Sequence, residues 1–263
     1  MIPTYGAVFM CKSFLFGSDS NTTEIWPECK KNAKVWSNMT PVAKNNLKLL
    51  LTSAGITNKS IAEAVIDLVG KPASEISVLF IPTAANTIEG DKGWLIDNLS
   101  DFKKQEYKSL DILDIACVPE KVWRPRMEAA DLICFGGGNE QYLAKVIRES
   151  GIDKVLPELL KTRVYMGISA GSMVVGQFLS HDLMKVVYPE EVFEELSESL
   201  AYVDCLFIPH LNSEYFTQVR KEVLEKHKAD FNFPLYACDD DSALKIVDGN
   251  IEVVSEGDYI LLK

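Results

Sequence analysis

The amino-acid sequence predicts an α/β protein in which a mostly parallel β-sheet is covered by helices on both faces. From Leu47 onward, short apolar runs of strand length alternate with segments of helix length. This alternation is typical of parallel sheets, because the crossover between two parallel strands usually places a helix on one face. The candidate polar residues fall directly after the apolar runs, at the strand ends where sites in such sheets lie.

The first half of the domain shows this alternation clearly. Ile61, Val65 and Leu68 recur on one side of the first helical segment, and Asn139 is expected to cap a later helix. We predict strands at residues 47–53, 76–81, 109–115 and 132–135, and helices at 60–69, 93–106, 125–130 and 139–149.

The second half continues the alternation and then changes to antiparallel β-structure. Its predicted elements are a helix at 154–161, strands at 164–167 and 206–209, a long charged helix at 213–227 and a strand at 235–237. The end of the chain indicates strands at 243–247, 251–254 and 259–262, with a turn at Asp248-Gly249. The predicted fold class is therefore α/β with C-terminal antiparallel strands.

The first 45 residues differ from the rest of the chain. They mix cysteine, tryptophan, asparagine and lysine without a clear period. We interpret residues 1–45 as an N-terminal extension that is poorly ordered or loosely packed. Residues 46–263 are predicted to form one α/β domain, without an internal repeat or linker.

The composition excludes some classes of partner and location. A net charge of −11, from 38 acidic and 27 basic residues, argues against a nucleic acid or an anionic membrane as the main partner. The six cysteines are scattered, without a Cys-x-x-Cys pair or zinc-ligand spacing, which favours a reducing, cytoplasmic location. The sequence also lacks a run of about 18 apolar residues, as a transmembrane helix would need.

One stretch organises the domain: the apolar run Val164–Met166 is followed by Gly167-Ile168-Ser169-Ala170-Gly171. An apolar strand that ends in Gly-x-Ser-x-Gly is the pattern of a nucleophile elbow, a sharp turn from a strand into a helix. In this interpretation Ser169 presents its hydroxyl at the tip of the turn, and the N–H of Ala170 forms half of an oxyanion hole. The alternative is a glycine-rich turn with an incidental serine.

A serine nucleophile needs a base within hydrogen-bond reach, and His210 is the best placed of the three histidines in the chain. It directly follows a predicted buried strand, so the sheet would fix its backbone. His181 is expected at the start of a loop and His227 at a solvated helix end. A structural or surface role is the alternative for each of them.

The imidazole in turn needs an acid to orient it, and Asp239-Asp240-Asp241 follows the next strand. Three adjacent carboxylates repel one another, so a buried imidazolium partner would compensate for one of them. Successive side chains of an extended segment point to opposite sides, which separates Asp240 from the other two. The alternative is a charged turn before a hairpin.

A glycine run, Gly136-Gly137-Gly138, lies between a predicted strand and the helix that Asn139 begins. Backbone N–H groups in such a run can face a ligand. A phosphate cradle is the weaker interpretation, because the Gly-Lys-Ser/Thr tail of a phosphate-binding loop is absent. We therefore predict that the run supplies the second oxyanion donor.

The chain order Ser…His…Asp argues against an α/β-hydrolase, whose order is Ser…Asp/Glu…His. That order would require an acid between Ser169 and His210. Asp182 and Asp204 lie there, but neither follows a convincing strand.

These motifs together resemble peptidase family S51, which contains dipeptidase E (aspartyl dipeptidase) and, more distantly, cyanophycinase. The resemblance covers roughly residues 46–263. It implies a fold similar to the class I glutamine amidotransferases, a flavodoxin-like sandwich, with serine in place of cysteine. The motifs are Phe135-Gly136-Gly137-Gly138-Asn139, Gly167-Ile168-Ser169-Ala170-Gly171-Ser172, Ile208-Pro209-His210, and the acidic turn before Ser242-Ala243-Leu244.

The resemblance also implies roles for individual residues. Ser169 would be the nucleophile and His210 the base, and Gly138 and Ala170 would donate to the oxyanion. The family's acid is usually glutamate, and Asp240 matches its position best. Because aspartate is shorter, Asp239 or Asp241 could serve instead.

Substrate recognition is predicted for Asn139 and Arg220. Aspartyl dipeptidases are expected to hold the substrate's aspartyl side chain with arginine in the segment after the histidine. In residues 211–220 the only arginine is Arg220, and Glu214 precedes it. An aspartyl preference therefore stays open.

The predicted function is that of a cytoplasmic serine exopeptidase, specifically a dipeptidase, that acts on short peptides without a metal or organic cofactor. One alternative is a non-catalytic binding or regulatory module of the amidotransferase-like fold. Another is a hydrolase of small acyl esters. The sequence carries no prediction of the oligomeric state.

Overall fold

A computed structural model describes residues 47–189 and 197–263, so the predicted extension over residues 1–45 lies outside the described residues. The described elements alternate between strand and helix over most of their length. In chain order they are β1 Lys48–Thr52, α1 Lys59–Val69, β2 Ser77–Ile81, α2 Gly93–Lys104, β3 Ser109–Ile112, α3 Glu120–Ala129, β4 Leu132–Phe135, α4 Glu140–Glu149, α5 Ile152–Leu159, β5 Val164–Ile168, α6 Ala170–Met173, α7 His181–Val187, β6 Leu206–Ile208, α8 Lys221–Lys226, β7 Leu235–Cys238, β8 Ser242–Val247, β9 Asn250–Ser255 and β10 Tyr259–Leu262.

Among the described residues, the larger of two sheets has seven strands in the order β3-β2-β4-β5-β1-β8-β9. The first five strands pair in parallel with one another, whereas β8 pairs antiparallel with β1 and β9 pairs antiparallel with β8. The α/β fold class with a mostly parallel sheet and C-terminal antiparallel strands is therefore confirmed.

A second sheet has three strands in the order β10-β7-β6. In it β6 and β7 are parallel, whereas β10 pairs antiparallel with β7. The sequence pattern located all three strands but did not separate them from the larger sheet. Hydrophobic period and length specify a strand, whereas the pairing partner is set by tertiary contacts.

Both faces of the large sheet are buried under helices. Leu50 of β1 belongs to one apolar core with Ile61 and Val65 of α1. Its neighbour Leu49 belongs to the opposite core, together with Leu143 of α4. Because successive side chains of a strand point to opposite faces, a strand buried on both faces needs a continuous apolar run, as β1 has.

Two helix predictions need correction. The predicted helix at 213–227 is wrong over its first half, because α8 spans only Lys221–Lys226 and residues 213–220 form a loop. The loop closes on itself through a hydrogen bond from the Asn212 N–H to the Val219 carbonyl. In addition, α3 begins at Glu120 instead of Pro125, and Trp123 and Met127 form its buried side.

Smaller differences concern element ends. The third strand ends at Ile112 and does not extend to residue 115. His181 is the first residue of α7, capped by the Ser180 hydroxyl, and does not begin a loop. Within residues 47–189 and 197–263, none of the helices is both long and apolar enough to cross a membrane.

Candidate active site

Ser169 lies at a sharp turn between β5 and α6. Its backbone has φ 49° and ψ −110°, which a non-glycine residue adopts only under strain. The flanking glycines make the turn possible. A Cβ at Gly171 would lie 2.0 Å from the Phe135 carbonyl oxygen, and one at Gly167 would lie 2.5 Å from the Ser172 nitrogen. The geometry is that of the predicted strand–turn–helix elbow.

Thr52, the last residue of β1, holds this elbow from the neighbouring strand. Its carbonyl accepts hydrogen bonds from the Ser169 N–H at 2.9 Å and from the Ser172 hydroxyl at 2.8 Å. Its own N–H donates to the Ser172 Oγ, and its hydroxyl donates to the Gly167 carbonyl at 2.7 Å. Both Thr52 and Ser172 are fully buried, so these bonds stabilise the strained turn away from water.

His210 follows β6 of the small sheet and faces Ser169. Its Nε2 lies 3.1 Å from the Ser169 Oγ. The imidazole side chain is 16% exposed, and its ring stacks on Phe216 with the centroids 4.9 Å apart and the planes at 16°. The stacked ring covers one face of the imidazole and limits its rotation.

Asp240 is the member of the acidic triplet that contacts His210. Its Oδ1 lies 2.6 Å from the His210 Nδ1. An ionised carboxylate only accepts hydrogen bonds, so the proton of this contact lies on Nδ1. In the neutral imidazole, Nε2 is then left to accept the Ser169 proton. The Asp240 side chain is 51% exposed, so its carboxylate is open to water.

Asp239 turns away from His210 and holds the turn before β8. Its carboxylate accepts from the Asp241 N–H at 3.1 Å, from the Ser242 hydroxyl at 2.6 Å, and from the Asp258 N–H. Asp241 is exposed, and its backbone carbonyl accepts from the side-chain amide of Asn58. The three aspartates that the sequence left as alternatives therefore have different surroundings.

The glycine run after β4 lies against Ser169. A Cβ at Gly137 would be 3.5 Å from the Ser169 Cβ. Gly138 has φ 131°, and a Cβ there would be 2.2 Å from the Ala84 carbonyl oxygen, so this position requires glycine. Ala170 is the first residue of α6, so its N–H has no acceptor within that helix. The structure thus places the predicted oxyanion donors on two chain segments that flank Ser169.

Asn139 caps α4, as the sequence predicts. Its Oδ1 accepts a hydrogen bond from the Tyr142 N–H at 2.7 Å. The next residue, Glu140, is buried. Its burial raises the pKa of the carboxyl group above the usual range.

Arg220 contacts the backbone of its own loop. Its guanidinium donates to three backbone carbonyls of the loop after His210: Phe216 at 3.1 Å, Val219 at 3.0 Å and Ser213 at 2.7 Å. These contacts hold the loop that carries Phe216 onto the imidazole. They do not favour the predicted role of Arg220 in binding a substrate carboxylate.

Sequence reasoning missed several residues around the site. Thr52 and Ser53 directly follow an apolar run, the same signal that selected His210, so the pattern could have found them. Trp94 of α2 approaches the glycine run, with its Cζ3 3.5 Å from the position of a Cβ at Gly137. Trp94 and Phe216 carry no local signal, because their contacts with the site are made only by the tertiary fold.

The chain matches known proteins over most of the described domain. The model of peptidase family S51 matches residues 49–254. An uncharacterised peptidase of Listeria monocytogenes is 24% identical over 156 residues, which cover 57% of this chain and 73% of the relative. A similar peptidase of Listeria innocua is 25% identical over 151 residues, which cover 56% of this chain and 70% of the relative.

Two crystal structures share the fold. One is of a protein of Listeria monocytogenes EGD-e described as a candidate peptidase E, with a TM-score of 0.61 and 22% identity over 80% of this chain and 99% of that one. The other is of a peptidase from an acI-B1 actinobacterium, with a TM-score of 0.61 and 21% identity over 82% of this chain and 90% of that one.

The contacts of Arg220 predict the effect of Arg220→Lys. A lysine cannot reproduce the planar fork that reaches three carbonyls, so residues 213–219 should exchange their amide hydrogens faster. Loss of hydrogen bonds worth about 1–3 kcal/mol corresponds to an increase of roughly 5- to 150-fold in the exchange rate. Hydrogen-exchange mass spectrometry of the free protein measures this rate.

Lys221→Ala is the matched control, because Lys221 is the adjacent cation and its side chain is 61% exposed. It should leave the exchange of the loop unchanged. If Arg220→Lys also leaves it unchanged and instead raises KM only for peptides with an acidic side chain, Arg220 is a substrate-binding residue as the sequence predicted.

Proposed function

The chain belongs to peptidase family S51 and is thus a serine-type peptidase, and we propose that it is an exopeptidase of short peptides, specifically a dipeptidase. In this proposal Ser169, His210 and Asp240 form the catalytic triad. The proposal includes a cytoplasmic location, to which the buried free thiols of Cys134, Cys205 and Cys238 lend support.

One observation carries the proposal: a continuous chain of contacts runs from Asp240 through His210 to Ser169. The two distances, 2.6 Å to Nδ1 and 3.1 Å from Nε2, are hydrogen-bond distances. A nucleophile, a base and an orienting acid in this order are the arrangement that activates a serine hydroxyl.

The geometry supports a stepwise acyl transfer. His210 Nε2 takes the proton of the Ser169 hydroxyl as Oγ forms a bond to the peptide carbonyl carbon. Asp240 stabilises the imidazolium that results. The negative charge on the carbonyl oxygen of the tetrahedral intermediate would be held by the N–H groups of Gly138 and Ala170.

The second half of the reaction reverses these roles. The imidazolium gives its proton to the leaving amine as the C–N bond breaks, which leaves an acyl-enzyme on Ser169. Water then attacks the ester carbonyl while His210 takes its proton, and the free carboxylate departs as Ser169 regains its proton.

The substrate class rests on the family resemblance and on the surroundings of Ser169. One structural neighbour is described as a candidate peptidase E, and the family that the sequence resembles contains dipeptidase E. The side-chain amide nitrogen of Asn139 is our proposed donor to the substrate. An aspartyl preference is left out of the proposal, because Arg220 is engaged by the carbonyls of its own loop.

A dipeptide library tests the function directly. The purified protein should release amino acids from a subset of dipeptides and leave longer proteins intact. Ser169→Ala should lower the rate by about 10⁴–10⁶, and the circular dichroism spectrum should stay unchanged. Turnover of small acyl esters without any dipeptide cleavage would indicate an ester hydrolase, and full activity of Ser169→Ala would exclude the serine mechanism.

The acid of the triad makes a separate prediction. Asp240→Asn should lower kcat by roughly 10²–10⁴ with little change in KM, because an amide cannot hold the imidazole in the required tautomer or stabilise its charge. Steady-state kinetics on the best dipeptide measure this effect.

Asp241→Asn is the matched control, as an exposed aspartate one residue further along. The kcat of this variant should stay within roughly tenfold of that of the unmodified protein. Asp239→Asn should lower the melting temperature, because Asp239 holds the turn. An equal loss of kcat in Asp240→Asn and Asp241→Asn would remove Asp240 from the triad.

A further inference from the structure

Ser53 occupies the point where the two sheets meet. It directly follows β1 of the large sheet and is fully buried. Its hydroxyl donates to the carbonyl of Cys238, the last residue of β7, at 2.8 Å. The same oxygen accepts a hydrogen bond from the backbone N–H of His210 at 3.2 Å. A single hydroxyl thus joins the chain segments that carry His210 and Asp240.

The backbone of His210 is strained and needs such a partner. It has φ 64°, in the left-handed region that a residue with a side chain rarely adopts. Strained residues persist only where the surroundings hold them. Besides Ser53, the N–H of Leu211 bonds to the Cys238 carbonyl at 2.9 Å. The segment after β6 is therefore tied twice to the end of β7.

The neighbouring residue extends the connection to the nucleophile. The Thr52 carbonyl accepts from the Ser169 N–H at 2.9 Å and from the Ser172 hydroxyl at 2.8 Å. Two consecutive residues of one strand end thus contact the chain segments of all three proposed catalytic residues. Of the two, only Ser53 bridges to the small sheet through its side chain.

We propose that Ser53 is a positioning residue, whose hydroxyl sets the placement of the His210 imidazole between Ser169 and the Asp240 carboxylate. The inference rests on the proposed function. Ser53 acts through the backbone of His210 and the end of β7, without a contact to the reacting atoms. A misplacement of about 1 Å in a catalytic group costs on the order of 10²-fold in rate.

Ser53→Ala should therefore lower kcat by roughly 10- to 100-fold and leave KM unchanged. The decisive readout is the double variant with Asp240→Asn. If Ser53 works by holding the imidazole against Asp240, the double variant should be no slower than Asp240→Asn alone. Ser150→Ala is the control, because its hydroxyl also donates to a carbonyl, that of Ile147 at the end of α4, and it should leave kcat unchanged.

A measurement without substrate supplements the kinetics. The proton NMR signal of the His210 Nδ1–H, held in the short contact to Asp240, should shift or broaden in Ser53→Ala and stay in place in Ser150→Ala. If Ser53→Ala does not fold, Ser53→Cys keeps nearly the same shape with a weak hydrogen-bonding group, and the same loss of kcat is expected.

The outcomes separate this inference from the proposed function. If Asp240→Asn is impaired while Ser53→Ala and Ser53→Cys are fully active, the triad stands and the role of Ser53 is refuted. Multiplicative losses in the double variant refute it as well, since they indicate a general structural effect. If Asp240→Asn and Ser169→Ala are both fully active, the proposed function fails whatever Ser53 does.

Discussion

The hydrogen bonds at the carboxyl end of β1 are the contacts on which the candidate site depends. Ser169 follows β5 of the large sheet, whereas His210 and Asp240 follow strands of the small sheet. The Thr52 carbonyl accepts a hydrogen bond from the Ser169 N–H in the elbow. The Ser53 hydroxyl is hydrogen-bonded to the chain segments that follow β6 and end β7 of the small sheet. Two strained backbones, at Ser169 and His210, are thereby held facing each other. The arrangement shows how a site can be assembled between sheets without any residue reaching far from its strand.

The environment of the chain of contacts changes along its length. The Ser169–His210 end is enclosed, because Phe216 covers one face of the imidazole and the glycine run lies against Ser169. The Asp240 end is half exposed. Hydrogen bonds and charges interact more strongly where water is excluded. Proton transfer would therefore occur in the enclosed part, while water can partly replace the carboxylate at the open end. This contrast explains why we expect Asp240→Asn to lower the rate less than Ser169→Ala does.

The sequence predicted the parts of the site that depend on local pattern. The elbow around Ser169 has its own motif, and His210 and Asp240 each follow an apolar strand. The family resemblance selected Asp240 from the acidic triplet, and in the structure Asp240 is the one of the three aspartates whose side chain contacts the imidazole. The reason from strand alternation does not hold, because residues 240 and 241 form a turn. What could not be predicted depends on tertiary contacts. The predicted helix at 213–227 includes residues 213–220, but in the structure these residues form a loop whose carbonyls bind the Arg220 guanidinium. The hydrophobic period of a strand likewise does not indicate which of the two sheets it joins.

The most direct test of the central claim is the site of reaction with a fluorophosphonate, which modifies only a serine activated by a base. Peptide mass spectrometry after exposure of the full chain should find one adduct, on Ser169, and none on the neighbouring Ser172. That neighbour is fully buried, and its hydroxyl is engaged by Thr52. His210→Ala should abolish the adduct while the protein stays folded. An unmodified Ser169, or an adduct that persists without His210, would contradict the account.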